Sequence, residues 1–375
     1  MTPSRTVLRA ILVTLAALLA AVVFAACGNS KDDSTSNAAP TPAPSTPAAP
    51  GTTAATPSST AAAGGGEIQS GLKIVHMPKN LGNSYFDIAD GGVKEATGEF
   101  GGSDNYTGPT EASAASQVPV LRAEIQKGFD ALVFSANDPD AVAPVLKQAK
   151  DAGIAVVTYD SDANPDSRQI FINQASTEDI GKAQVEMAAE QIGGSGQIAI
   201  LSASANATNQ NAWIKVMKDE LESNPAYANI ELVDTVYGDD NDQKSFQQTQ
   251  GLLQKYPDLK AIIAPTTVGI AAAARYIQGS PQKGKVAVTG LGTPNAMRDF
   301  VKDGTVKEFA LWNPKDLGYL AAFAAASLKS GIITGAEGDK FTAGRLGEYT
   351  VGAEGEVLLG PPTRFNAENI DEFDF

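Results

Sequence analysis

Side chains suited to binding a small, uncharged molecule recur between residues 79 and 313, most of them just after a short apolar run. Most are carboxylates, amides, hydroxyls and aromatic rings, and the candidates are Lys79, Phe86, Asp138, Asp140, Asp160, Asn209, Gln210, Thr266, Thr267, Trp312 and Asn313. Carboxylates and amides hydrogen-bond neighbouring hydroxyl groups, and an aromatic face packs against the C–H face of a sugar ring. Because cations are scarce among them, these residues suit a neutral, hydroxyl-rich ligand better than a phosphate.

Ordinary structural roles remain open for several of these candidates. Asp138 and Asn313 each precede a proline, which is typical of a helix cap followed by the first helical residue. Lys79 is equally compatible with an exposed surface position, and the amides at 209–211 with a polar loop. Asp160 directly follows an apolar run and is the carboxylate that we most expect to hold ligand hydroxyl groups. Similar positions hold Asn83, Tyr85, Trp213 and Asp240.

The sequence offers little for metal or covalent chemistry. It contains one cysteine and one histidine, Cys27 and His76, whereas structural zinc takes about four such ligands. The acidic stretch 239–242 lacks the glycine and the glutamate of a calcium loop. Paired carboxylates such as Asp160 and Asp162 leave a secreted hydrolase as a competing interpretation, because glycosidases use two acids. We expect no catalytic residue, no cofactor and no metal site.

The first seventy residues predict export and membrane attachment. Arg5 and Arg9 precede an apolar run that ends at Cys27, which is typical of a signal peptide over 1–26. The residues around Cys27 resemble a bacterial lipobox, in which the cysteine is lipidated, although an uncleaved membrane anchor is an alternative. Residues 27–70 are rich in Ala, Pro, Ser and Thr and predict a disordered tether. Lipidation of Cys27 and an uncleaved membrane anchor both place the remaining chain outside the cytoplasm, on the cell membrane.

The remainder predicts an α/β fold built of parallel sheets. Apolar runs alternate with helical patterns, and the predicted strands are 72–77, 131–136, 154–159, 197–203, 231–237, 261–265, 286–291 and 307–312. A helix over 176–192 begins with a capping box and ends at a glycine pair. Repeated strand–helix units imply doubly wound sheets, in which ligands bind beyond the carboxyl ends of the strands. The net charge of −15 argues against a nucleic-acid partner.

Several segments together resemble the type I periplasmic sugar-binding proteins of bacterial ABC importers, over 71–375. These segments are 135–140 (SANDPD), 207–211 (ATNQN), 236–240 (VYGDD), 264–269 (APTTVG), 289–292 (TGLG) and 311–314 (LWNP). They are most similar to rhamnose-binding proteins and the related autoinducer-2 receptors. A transcription regulator of similar core fold would need a helix-turn-helix before the first strand, where this chain has its leader.

The resemblance to autoinducer-2 receptors implies ligand contacts at Lys79, Asp140, Asn209, Gln210, Pro265 and Thr267. This chain departs from that pattern at Asn209, where the receptors have aspartate, and at Thr267, where they have alanine. Replacing a carboxylate and adding a hydroxyl changes the hydrogen bonds that a buried ligand must satisfy. We therefore expect rhamnose or a similar neutral monosaccharide, with autoinducer-2 as the alternative.

The resemblance also implies two lobes that close on the ligand, joined by three crossings of the chain. We place the crossings near Asn173, Asn313 and Gly344. One lobe then comprises 71–173 and 313–344, and the other 174–312 and 345–375. The implied partner is an ABC permease, the only membrane contact is the lipid anchor, and the protein is expected to be a monomer.

Overall fold

The computed structural model describes residues 66–375, which form alternating strands and helices. The strands are β1 (Lys73–Met77), β2 (Ser103–Tyr106), β3 (Ala131–Phe134), β4 (Ala155–Tyr159), β5 (Ile170–Asn173), β6 (Gly196–Ser202), β7 (Ile230–Tyr237), β8 (Leu259–Ala264), β9 (Ala287–Gly290), β10 (Glu308–Leu311), β11 (Lys340–Thr342), β12 (Glu348–Thr350), β13 (Glu356–Leu358) and β14 (Thr363–Asn366). The helices are α1 (Ser84–Glu99), α2 (Ala114–Lys127), α3 (Pro139–Asp151), α4 (Thr177–Ile192), α5 (Thr208–Ser223), α6 (Asp242–Lys255), α7 (Thr267–Gln278), α8 (Pro294–Lys302) and α9 (Pro314–Lys329).

Two open parallel sheets organise these elements. Read from β2 in the first sheet and from β7 in the second, both place their strands in the order second, first, third and fourth along the chain. The first runs β13-β5-β4-β3-β1-β2 and the second β7-β6-β8-β9. A parallel bridge between Leu291 and Ala310 places β10 beside β9, and β14 pairs with β10 in the antiparallel sense. In each sheet the second strand lies on one side of the first strand, and the later strands are added on the other side. This change of direction lies between β1 and β3 in the first sheet and between β6 and β8 in the second. Open parallel sheets bind ligands at such reversals.

The predicted parallel α/β class is confirmed, and all eight predicted strands are present within two residues of their predicted limits. The sequence does not predict β2, because this edge strand reads SDNY and has no apolar run. It also does not predict β5 or β11–β14, which are only three or four residues long. Such short strands take their conformation from the neighbour with which they pair.

The first lobe consists of the first sheet with α1, α2, α3 and α9, and the second lobe of the second sheet with α4–α8. The chain leaves the first sheet after β5, returns between β10 and α9, and leaves again after β13. The prediction of a crossing near Gly344 is wrong, because Val357 in β13 pairs with Ile172 in β5. Residues 345–358 therefore remain with the first lobe, and the chain crosses between β13 and β14.

Helices α1 and α9 approach each other at a contact that only glycine permits. A Cβ atom at Gly318 would lie 2.0 Å from the carbonyl oxygen of Ala89, and one at Gly92 would lie 1.8 Å from that of Lys315. Any larger residue would force the two backbones apart. The contact fixes α1 against α9, the helix that follows the second crossing. The first turn of α1 contributes to the cleft described below.

Helix boundaries follow the predicted capping signals. Ser176 caps α4 by accepting a hydrogen bond from the Asp179 amide at 3.3 Å, and the helix ends at Gly193, whose φ is +73°. Thr293 precedes Pro294 in the same manner as the other caps, but its side chain makes no capping hydrogen bond.

The predicted signal peptide, Cys27 and the predicted tether up to residue 65 lie outside the described residues. Within 66–375, every helix is too short or too polar to cross a bilayer.

Candidate ligand-binding cleft

A cleft with a cavity volume of about 40 Å³ lies between the two lobes, at the carboxyl ends of their strands. Its lining comprises Lys79, Asn83, Tyr85, Phe86, Asp160, Asn209, Gln210, Trp213, Asp240, Pro265, Thr266, Thr267, Leu291, Leu311 and Trp312. The first five belong to the first lobe and the next eight to the second. Leu311 and Trp312 lie at the second crossing, where the chain returns to the first lobe. Because the strands of each sheet are parallel, their ends bring together residues that are far apart in sequence.

Nine of the twelve candidates from the sequence lie on this lining. They are Lys79, Phe86, Asp160, Asn209, Gln210, Pro265, Thr266, Thr267 and Trp312. Six further lining residues were not among the candidates. Four of these, Asn83, Tyr85, Trp213 and Asp240, are polar or aromatic residues at the same strand ends and could have been chosen on that signal. Leu291 and Leu311 end or follow apolar strands and carry no such signal.

Asp138, Asp140 and Asn313 do not line the cleft, which corrects their prediction as cleft residues. Asp138 and Asn313 instead accept backbone hydrogen bonds at the starts of α3 and α9, as helix caps do. Asp140 is exposed in the first turn of α3, and its carboxylate accepts a hydrogen bond from Asn164 at 2.9 Å. A position after a strand is shared by capping and ligand-facing residues, so the sequence alone does not separate the two roles.

Asp160 lies at the centre of the polar contacts in the cleft. It directly follows β4 in the left-handed backbone region, with a φ of +60°, which aspartate adopts more readily than most residues. Its carboxylate accepts hydrogen bonds from the hydroxyl groups of Tyr85 at 3.1 Å and Ser135 at 2.9 Å. The ammonium group of Lys79 lies 3.6 Å from the same carboxylate, and both side chains are more than nine-tenths buried.

Asn209 joins the two lobes across the cleft. Its side-chain oxygen accepts a hydrogen bond from Lys79 at 3.1 Å, and its amide nitrogen donates to the Asp160 carbonyl oxygen at 3.3 Å. Asn209 lies in the first turn of α5 in the second lobe, whereas Lys79 and Asp160 belong to the first. These hydrogen bonds connect the lobes at the place where a ligand would contact both of them.

Aromatic side chains form one wall of the cleft. The indole N–H of Trp312 donates a hydrogen bond to the Tyr85 hydroxyl at 2.8 Å, and that hydroxyl in turn donates to Asp160. The Tyr85 ring packs edge-on against Phe86 and Trp312, with centroid distances of 5.1 and 6.2 Å, and Trp213 lies 5.9 Å from Trp312. Burial raises the pKa of Tyr85 well above its ordinary value, and the nearby Asp160 carboxylate acts in the same direction. Tyr85 is therefore a neutral donor.

The second lobe contributes amide and hydroxyl groups. Gln210 is anchored because its side-chain oxygen accepts hydrogen bonds from the Ser202 hydroxyl at 2.6 Å and the Ala203 amide at 2.8 Å. Thr266 donates a hydrogen bond to Asp240. Burial raises the pKa of Asp240, although Lys79 and Thr266 both favour its charged form. These groups can donate and accept hydrogen bonds with a ligand that carries hydroxyl groups.

Asp162, the possible acidic partner of Asp160, is engaged elsewhere. Arg168 donates two hydrogen bonds to its carboxylate, at 2.8 and 2.6 Å. Asp162 is also absent from the cleft lining. The two carboxylates therefore do not flank a common space, as the acid pair of a glycosidase must.

Comparison with known proteins places this architecture in a family. The family model described as a periplasmic binding protein domain matches residues 74–332. A sugar ABC transporter from Actinomyces odontolyticus is 57% identical, over 81% of this chain and 98% of that one, with a TM-score of 0.66. An ABC transporter solute-binding protein from Clostridium phytofermentas with bound L-rhamnose is 39% identical over the same shares, with a TM-score of 0.78.

A third solved structure shares the fold at lower identity. It is LsrB from Clostridium saccharobutylicum in complex with AI-2, which is 26% identical over 81% of this chain and all of that one, with a TM-score of 0.76. The family match, the two parallel sheets and the cleft between them agree with one another. The chain therefore belongs to the periplasmic binding protein family, alongside the sugar-binding proteins of ABC transporters that it resembles in sequence and fold.

Proposed function

We propose that this protein is the extracytoplasmic solute-binding component of an ABC sugar importer and that it holds a neutral monosaccharide between its lobes. The observation that carries the proposal is the convergence of carboxylate, amide, hydroxyl and aromatic groups from both lobes on one cleft. A sugar that contacts both lobes favours the closed arrangement, because its contacts are complete only when the lobes meet. The closed form is what a permease would recognise. The protein acts as a monomer and carries no catalytic activity.

The charge of the cleft favours an uncharged ligand. Among residues 66–375, Lys79 is the only cation on the lining, and the Asp160 carboxylate lies 3.6 Å from it. A phosphate or carboxylate ligand would have to compete with Asp160 for this ammonium group. A hydroxyl group can instead accept from Lys79 and donate to Asp160 without separating the pair.

We infer that L-rhamnose or a similar deoxysugar is the preferred ligand. Support comes from the 39% identical protein with bound L-rhamnose, and from a lining that includes both threonines and Asn209. Leu291 and Leu311 add an apolar surface suited to the methyl group of a deoxysugar. The alternative ligand is autoinducer-2, supported by the fold shared with LsrB.

A thermal-shift and calorimetric comparison of ligands tests this proposal. The full chain is mixed separately with L-rhamnose, autoinducer-2, D-ribose and D-allose, and with L-mannose as a matched control that differs from L-rhamnose by one hydroxyl group. A ligand at a hundred times its dissociation constant should add about 2.7 kcal/mol to the free energy of unfolding. A strong shift with autoinducer-2 and none with rhamnose would reverse our order of ligands. No shift with any sugar would contradict sugar binding.

We further propose that Cys27 is lipidated and anchors the protein to the cell membrane. Support comes from the signal-like run that ends at this residue, the only cysteine in the chain. In cells, Cys27→Ser should move the protein from the membrane fraction to the soluble fraction and abolish incorporation of labelled fatty acid. An unchanged membrane association in this variant would favour the uncleaved apolar run as the anchor.

A further inference from the structure

A second group of polar side chains lies inside the first lobe, away from the cleft lining. His76 in β1 is fully buried, and its Nδ1 atom lies 3.1 Å from a carboxylate oxygen of Asp90 in α1. Asp104 in the edge strand β2 completes the group, and the ligand atoms of the three residues all lie within 4.8 Å of one another. None of the three contributes to the cleft lining.

Asp104 has an unusual environment for an acidic side chain. Both of its carboxylate oxygens are excluded from solvent, and neither has a hydrogen-bond partner within the described residues. A buried carboxylate is costly unless a cation or several donors compensate for its charge. A cation bound between Asp104, Asp90 and His76 would supply that compensation.

From this geometry we propose that His76 Nδ1, Asp90 and Asp104 form a binding site for a divalent transition-metal ion, best matched by Zn²⁺. Tetrahedral zinc with bonds of about 2.1 Å separates its ligand atoms by roughly 3.4 Å, close to the 3.1 Å between His76 and Asp90. One imidazole nitrogen with two carboxylates suits Zn²⁺ better than Ca²⁺ or Mg²⁺, which prefer ligands that are all oxygen. Water can complete the coordination.

The surroundings of His76 match those of a metal-bound histidine. Its Nε2 atom lies 2.7 Å from the hydroxyl group of Tyr159. Metal-binding histidines usually hydrogen-bond through the second ring nitrogen, which fixes the orientation of the ring. With metal on Nδ1, the ring proton resides on Nε2 and is donated to the Tyr159 oxygen.

Within the described part of the chain, Lys94 is the one cation that forms a salt bridge with the group, and it does not block metal binding. Its ammonium group binds Asp90, but 62% of its side chain is exposed, so it can turn into solvent when a metal ion binds. Any proton held by Asp104 would be released on binding, because the metal requires the carboxylate. The ion would then join β1, α1 and β2 within the first lobe.

The single histidine of the chain allows a direct test by NMR. The full chain, stripped of metal with a chelator and dialysed, is labelled with ¹⁵N and titrated with ZnCl₂. We expect the Nδ1 resonance of His76 to shift on addition of one equivalent, and the melting temperature to rise. Co²⁺ should give a visible absorption band at the same stoichiometry. No shift of the His76 resonance would overturn the proposal.

Variants separate this site from surface binding. Asp104→Asn keeps the side-chain shape but removes one ligand, and it should weaken Zn²⁺ binding at least about tenfold in calorimetry. Asp219→Asn, an exposed acid on α5, is the matched control and should leave the affinity for Zn²⁺ unchanged. Equal Zn²⁺ affinity in Asp104→Asn and wild type would also overturn the proposal. Sugar affinity, measured in parallel, tests the cleft independently.

Discussion

Asp160→Asn is the substitution that most directly tests the role of the cleft. Asparagine preserves the size of the side chain and tolerates the left-handed backbone at this position. Alanine would lose the same contacts and would also strain the backbone. The substitution removes the negative charge that faces Lys79 at 3.6 Å. It also weakens the hydrogen bonds that Tyr85 and Ser135 donate to the carboxylate. Two properties should therefore change, stability and sugar affinity.

The loss of stability follows from the buried charge left on Lys79. At an effective dielectric constant of about 20, two unit charges 3.6 Å apart attract each other by about 5 kcal/mol, before the cost of desolvation is subtracted. Breaking a buried ion pair by removing one partner typically costs about 3–5 kcal/mol. We expect the free energy of unfolding of the ligand-free protein to fall by about 3 kcal/mol. Urea denaturation, followed by tryptophan fluorescence, measures this change.

The loss of affinity follows from the hydrogen bonds that we propose the carboxylate accepts from the sugar. A hydrogen bond to a charged group contributes about 1.5–3 kcal/mol, so losing the charge should weaken binding by about 10-fold to 100-fold. Calorimetry with the preferred sugar measures this effect.

The double variant Lys79→Met/Asp160→Asn separates the two effects. It removes both charges of the pair and should recover most of the stability, because neither the Lys79 ammonium nor the Asp160 carboxylate is left without its partner, but it should not recover affinity. Wild-type sugar affinity in Asp160→Asn would remove Asp160 from the binding site. A double variant as unstable as the single one would refute the ion-pair explanation.

Three further substitutions test the aromatic wall, the helix contact and a surface charge. Trp312→Phe removes the hydrogen bond to Tyr85 and should weaken sugar binding about tenfold by calorimetry; an unchanged affinity would show that this hydrogen bond does not shape the cleft. Gly318→Ala should lower the free energy of unfolding by about 2–3 kcal/mol, while the control Gly98→Ala, with open space around its Cβ, should raise it by up to about 1 kcal/mol. Equal effects of the two alanines in urea denaturation would contradict the close-contact argument. Although burial acts to raise the pKa of Asp303, hydrogen bonds hold it below its ordinary value. The contribution of Asp303 to the free energy of unfolding is therefore complete above its unfolded pKa of about 3.9. This contribution disappears as the pH falls through the lower pKa that Asp303 has in the folded protein. Asp303→Asn should cost about 1 kcal/mol at neutral pH, allowing for solvent screening, and progressively less below pH of about 4; a cost independent of pH would contradict this.

The strands that form the cleft could be predicted because their evidence is local. A buried parallel strand is apolar over several consecutive residues, and the polar residue that follows it must lie at the edge of the sheet. Asp160 and Thr266 were identified on this basis, and both line the cleft. Asp138 occupies a similar position but caps α3 instead, because local sequence does not say how far a loop extends toward the opposite lobe.

Short strands and pairings between distant segments could not be predicted from the sequence. The pairing of β13 with β5 joins two short segments far apart in the chain, and it moved the third crossing from the predicted position near Gly344 to the segment after Leu358. The group of His76, Asp90 and Asp104 was missed for the same reason. Its members come from β1, α1 and β2, and no sequence spacing connects them.

The sequence by itself determined the class of the fold, the order of its eight predicted strands and the kind of chemistry available at the strand ends. These properties depend on periodicity, capping and residue type, which act over a few neighbouring residues. Only the tertiary structure decided which strand ends face each other and which buried charges are partners. Those outcomes depend on the sheet order and on the packing of α1 against α9, where atoms remote in sequence come within a few ångströms.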